Sequence, residues 1–88
     1  MHEHGLIQRL LARALAEAER RGGRLRGVHV RLGALASATP EHFREDFEHV
    51  RAELSAGDVA LHVEVAPERP AGVELVSIDV AGAAGPAG

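Results

Sequence analysis

The sequence predicts a two-layer α/β domain of the α+β kind: a mixed three-stranded sheet with two helices on one face, in the order α-β-α-β-β. Three observations lead there. Two stretches place apolar residues at helical spacing, three others alternate apolar with polar residues, and each alternating stretch offers a single apolar face. Two helices cover one face of so small a sheet, and the other face is left to water.

The first helix is predicted over residues 4–21. Leu6, Ile7, Leu10, Leu11, Ala14, Leu15 and Ala18 form one apolar stripe, Arg9, Arg13, Glu17 and Arg20 lie off it, and Gly22-Gly23 supplies the left-handed residue that ends a helix. Residues 25 to 34 then alternate, with Val28, Val30 and Leu32 on one side and His29, Arg31 and Gly33 on the other. After a small-residue loop, Thr39 is placed to cap a second helix over residues 40–55. Pro40 takes its first position and Glu41 sits at the positive end of its dipole. Phe43, Phe47, Val50 and Leu54 face its core side, and Gly57 is read as its close. In residues 58–66, Val59, Leu61, Val63 and Val65 point inward and His62 and Glu64 outward. Two prolines and a glycine make residues 67–72 a turn. Residues 73–80 form the third strand, with Val76, Ile78 and Val80 on one face; Leu75 opposes that phase, which calls for a bulge. A helix between the first two strands suits a parallel crossover, and the short turn after the second suits an antiparallel hairpin. Residues 1–80 thus read as one domain, and residues 81–88, all Ala, Gly and Pro, as a disordered tail.

Composition excludes several function classes. The 88 residues include no cysteine, which removes a disulfide scaffold, a zinc ribbon, an iron–sulfur site and a thiol nucleophile. A net charge of −3 leaves no basic surplus for phosphates, so no nucleic-acid partner is expected. No apolar run nears the roughly 20 residues of a membrane span, and the acidic, polar start is unlike a basic secretory leader, so a cytoplasmic protein is expected. No phosphate loop, dinucleotide fingerprint, nucleophile elbow or HExxH motif is present, so an enzyme is not expected. Three strands leave two edges, which provide a route to a homo-oligomer.

Three groups of residues carry metal-donor chemistry. Met1-His2-Glu3 offers an amine, amide nitrogens and an imidazole in one short segment. Such a nitrogen-rich set suits Ni(II) or Cu(II) over hard, oxygen-seeking cations. The plainer reading is a polar chain start with a chance histidine. On the second helix His42, Asp46 and His49 share a face beside Glu45, either as ligands or as an ordinary solvated surface. His29 and His62 both point outward and become neighbours if their strands pair, with Arg31 and Glu64 beside them; they are either a metal or partner site or a solvated cross-strand pair.

Met1-His2-Glu3 running straight into an amphipathic helix resembles the start of the HypA/HybF nickel-incorporation accessory proteins of [NiFe]-hydrogenase and urease maturation. Four further segments agree in order: Val28–Leu35, Ala38–Glu48, Leu61–Pro67 and Leu75–Val80 resemble that family's strands and second helix, so the likeness extends to about residue 80. Family members carry a zinc domain with two CxxC pairs between the last two strands. Here Glu68-Arg69-Pro70-Ala71-Gly72 stands in its place, so no zinc site is expected. His4-Gly5 also departs from the family pattern, weakening the expected helix cap while adding an imidazole. The resemblance implies a metallochaperone for Ni(II), with Met1, His2 and Glu3 as metal-binding residues and His4 added beside them. It also implies a hydrogenase large subunit and a GTPase accessory protein as partners. The alternative is a relative without the zinc domain that acts as a non-metal interaction module.

Overall fold

The computed structural model describes residues 2–82; Met1, the side chains of His2 and Glu3, and residues 83–88 fall outside that description, and with them most of the expected tail. The elements follow in the predicted order: α1 (His2–Arg20), β1 (Arg24–Gly33), α2 (Pro40–Glu53), β2 (Ala60–Ala66) and β3 (Val73–Ala81). Ala81, assigned from sequence to the tail, instead pairs with Arg24 and closes β3.

α1 ends as expected. Gly22 takes φ 75, Gly22 N–H donates to the Glu19 carbonyl at 2.9 Å, and Gly23 N–H donates to the Ala18 carbonyl at 3.0 Å. Its start is earlier than the apolar stripe indicates, so Gly5 lies inside the helix and has no capping role. α2 opens on the expected cap, with the Thr39 hydroxyl accepting from His42 N–H at 3.2 Å. Its other end corrects the sequence reading. Ser55, not Gly57, is the left-handed residue directly after the helix, at φ 51, and Ala56 N–H reaches back to the Arg51 carbonyl at 3.0 Å.

One aliphatic and aromatic core joins both helices to one face of the sheet. Ile7, Leu11 and Ala14 of α1, Val28, Val30 and Leu32 of β1, and Phe43, Phe47 and Val50 of α2 are all buried in it. Each large side chain so buried contributes about 1.5–3 kcal/mol through apolar area removed from water.

The strand order is β2-β1-β3, with β1 parallel to β2 and antiparallel to β3. The expected β2–β3 hairpin does not form. Residues 67–72 instead carry the chain across the end of β1 to its far side, a span of two strand spacings, or about 10 Å. Three hydrogen bonds stitch this crossing to β1 and the loop beyond: Gly33 N–H to Gly72, Ala34 N–H to Arg69 and Leu35 N–H to Ala71, at 2.8–2.9 Å. A Cβ at Gly33 would run into the Ala71 carbonyl and stand 2.9 Å from the Arg69 carbonyl oxygen, so only glycine fits beneath the crossing.

Two bulges adjust the β1–β3 pairing. Arg26 is extra on β1, between the Leu25–Val80 and Gly27–Asp79 pairs, and Val76 is extra on β3, between the His29–Ser77 and Val30–Leu75 pairs. The second is the bulge that Leu75 called for, but it reverses one assignment. Leu75 packs on the core, while Val76, expected inside, is 47% exposed. Val65 also departs from expectation: it pairs with buried Leu32 yet is 56% exposed, because it lies near the end of an edge strand.

Candidate metal-binding groups

The backbone of His2 and Glu3 lies in the first turn of α1. The first four N–H groups of a helix have no partner within it, so the helix ladder makes no claim on the backbone nitrogens of His2 and Glu3. The part of the expected site that rests on Met1 and on the His2 and Glu3 side chains lies outside the described residues. His4 is described. Its Nε2 lies 3.1 Å from Glu53 Oε1, and Gln8 Nε2, one turn on, donates to the same oxygen at 3.4 Å. Glu53 therefore ties the first turns of α1 to the end of α2. It also places a carboxylate near a helix terminus whose dipole disfavours a bound cation. Sequence reasoning did not single out Glu53, because its position depends on how the two helices pack.

His42 and His49 are exposed and Asp46 partly so, on the side of α2 opposite Phe43, Phe47 and Val50. They form no cluster tight enough for an ion among the described residues.

The open face of the sheet is more ordered than its alternation suggested. Strand pairing sets His29 beside His62, as expected, with ring centroids 4.4 Å apart and planes inclined by 12°. Asp79 of β3 joins them from the far side, its Oδ2 2.9 Å from His29 Nε2. The only sequence signal for Asp79 was its polar position in the third strand, and the expected hairpin would have placed it away from His29. The next row along the same face is ionic. Arg31 lies between Glu64 (3.5 Å) and Glu74 (3.9 Å), and Arg69 donates twice to Glu74, at 3.0 and 3.1 Å. The Arg69 guanidinium holds the Glu74 carboxyl below its ordinary pKa, and Glu74 in turn raises that of Arg69. On α1, Arg21 and then Arg20 lower the pKa of Glu17 in the same way.

These features define a small α+β domain that presents nitrogen and carboxylate donors at a helix start and on an open sheet face. Comparison with known families places it further: residues 1–71 match the HypA family, described as hydrogenase/urease nickel incorporation, metallochaperone. The chain belongs to that family. Membership implies a part in loading nickel into hydrogenase or urease, alongside the enzyme and accessory proteins, with the chain acting as a metallochaperone. The match takes in α1, β1, α2 and β2 and stops before β3. No curated protein and no solved structure gives a significant match to the chain. No helix among the described residues is long and apolar enough to cross a membrane.

Proposed function

We propose that this protein carries Ni(II) to a nickel enzyme of the [NiFe]-hydrogenase type, acting in the cytoplasm with the hydrogenase large subunit and a GTPase accessory protein. The cargo is held by the Met1 amine, the His2 imidazole and the backbone nitrogens of His2 and Glu3, with the Glu3 carboxylate and His4 alongside. The observation that supports this most is the Met1-His2-Glu3 segment within a family match that starts at residue 1. An amine, amides and an imidazole form a planar donor set that Ni(II) accepts more readily than tetrahedral zinc does. Loading displaces protons from those nitrogens, so affinity rises with pH. Donors drawn from one short segment are expected to release metal more readily than a set enclosed by several elements. The residues fit nickel as cargo; with no cysteine in the chain, a cysteine zinc centre has no ligands here.

The test is transfer. Protein loaded with one equivalent of Ni(II) is mixed with nickel-free hydrogenase large subunit and the GTPase accessory protein, and nickel in the large subunit is measured. Wild type is expected to deliver the metal and His2→Ala to fail. Equal transfer by both would put the cargo on other residues of the chain, and transfer by neither would instead support a docking module that does not handle metal. That reading draws on the short crossing at residues 67–72, which closes the fold without a second domain.

A further inference from the structure

We propose that His29, His62 and Asp79 form a second metal site, on the open face of the sheet, that binds a divalent transition-metal ion through two imidazoles and a carboxylate. Each of the three strands supplies one ligand. One ligand atom from each residue lies within 4.8 Å of the other two, and this is the tight group of three such residues found among the described residues. Zinc bonded at about 2.0–2.1 Å sets tetrahedral ligand atoms about 3.4 Å apart. The ligand atoms therefore close by up to about 1.4 Å as the stacked His29 and His62 rings tilt to converge their lone pairs, while the His29–Asp79 contact of 2.9 Å opens slightly. Both movements fall to exposed side chains on a fixed sheet: the His29 and Asp79 side chains are 38% and 54% accessible, and His62 is exposed. The ion and its remaining water ligands enter from solvent without any helix moving.

Three details of the sheet favour this arrangement. Asp79 pairs with Gly27, and a Cβ at position 27 would stand 2.8 Å from Asp79 Oδ2. The missing side chain gives that carboxylate room to lean toward His29. The Arg26 and Val76 bulges bracket the stretch of β1–β3 ladder that holds Asp79 and His29, and bulges re-aim side chains where they occur. Finally, the two polar rows of this face differ in one respect. In the neighbouring row a permanent cation, Arg31, lies between Glu64 and Glu74. The His62–His29–Asp79 row has a carboxylate and two neutral-capable nitrogen donors but no permanent cation of its own, and a divalent ion supplies one. Binding replaces the His29–Asp79 hydrogen bond with two metal bonds and releases any proton the imidazoles hold. Two nitrogens and one oxygen suit zinc and nickel and are poor for calcium or magnesium.

This site is independent of the N-terminal nickel reading, although it departs from the expectation of a chain without zinc that the missing cysteines suggested. The test uses full-length His2→Ala protein, which removes the N-terminal imidazole, titrated calorimetrically with Zn(II) and separately with Ni(II). One equivalent of at least one of these ions is expected to bind. Adding His62→Gln or Asp79→Asn should weaken that binding by about tenfold or more, whereas adding His42→Gln with His49→Gln should leave it unchanged. On titration, the ring resonances of His29 and His62 should shift and those of His42 and His49 should not. Circular dichroism confirms that each variant is folded. No binding of either ion to His2→Ala protein, or binding that survives His62→Gln and Asp79→Asn undiminished, overturns the proposal.

Discussion

The two donor sets differ in how far apart in the chain their members lie. Met1, His2 and Glu3 are consecutive in the sequence. His29, His62 and Asp79 are brought together by a parallel pairing on one side of β1 and a bulged antiparallel pairing on the other. A local set needs almost no folding to exist and suits a metal that is to be passed on. A set assembled from three strands exists only when the sheet does, so metal bound there adds its binding free energy to folding. The first arrangement is suited to cargo, the second to a resident ion.

The largest expected effect separates the two sets directly. Phe47 is fully buried between α2 and the sheet. Phe47→Ala should cost about 3–5 kcal/mol through lost burial and an unfilled cavity, much of the stability of a small domain. Metal binding at the sheet should fall with the folded fraction measured by circular dichroism, while Ni(II) binding at the N-terminal segment should largely persist. If both fall together, the N-terminal set is not local.

A smaller loss is expected at Gly33. A methyl group there meets the backbone of residues 69 and 71, and the crossing must shift to admit it. Gly33→Ala should destabilise the domain by about 1–3 kcal/mol in denaturant unfolding. Because the strain falls at the far end of β1 from Asp79's partner Gly27, folded variant protein should retain the sheet site.

Much of this molecule was legible from the spacing of apolar residues. Phe43, Phe47 and Val50 announced the buried side of α2, and Val28, Val30 and Leu32 that of β1, because burial imposes a period that the sequence must carry. Strand neighbours leave no such trace. A six-residue turn permits a hairpin, and nothing in Pro67–Gly72 says that its backbone will bond across the end of β1 instead. The conflict between Leu75 and Val76 signalled a bulge without saying which residue would be expelled. Arg26 gave no signal, since a charged residue fits an exposed bulge and a strand equally well. The site followed the same rule. Met1-His2-Glu3 is readable because its donors are adjacent, whereas Asp79 became visible only once β3 was known to lie beside β1.

Gly5 sharpens the comparison in the opposite direction. It lies within α1, where a Cβ would meet nothing nearer than Arg9 Nη1 at 3.8 Å. Gly5→Ala should stabilise the domain by about 0.5–1 kcal/mol through helix propensity, read as a rise in melting temperature. A firmer first turn should slow Ni(II) release to a chelator if the N-terminal segment holds the metal, and should leave the sheet site unaffected.

The smallest effect concerns the ionic row beside the sheet cluster. Arg69 lowers the pKa of Glu74 in the folded protein. The pair therefore contributes stability at pH values above the ordinary carboxylate range, and that contribution is lost as pH falls below it, through the lowered folded value. The carboxylate is solvent-accessible, so the effect is slight and screened by salt. Glu74→Gln should flatten this part of the acid stability profile without altering metal stoichiometry at neutral pH.

The central claim is tested most directly by Ni(II) titration of protein whose chain begins at Met1, followed by calorimetry and by the visible absorption of planar Ni(II). One equivalent is expected to bind with that planar signature, and His2→Ala, or residues added ahead of Met1, should abolish the signature while circular dichroism shows the fold intact. Retention of the planar signature and of the parent affinity in both variants would contradict the account.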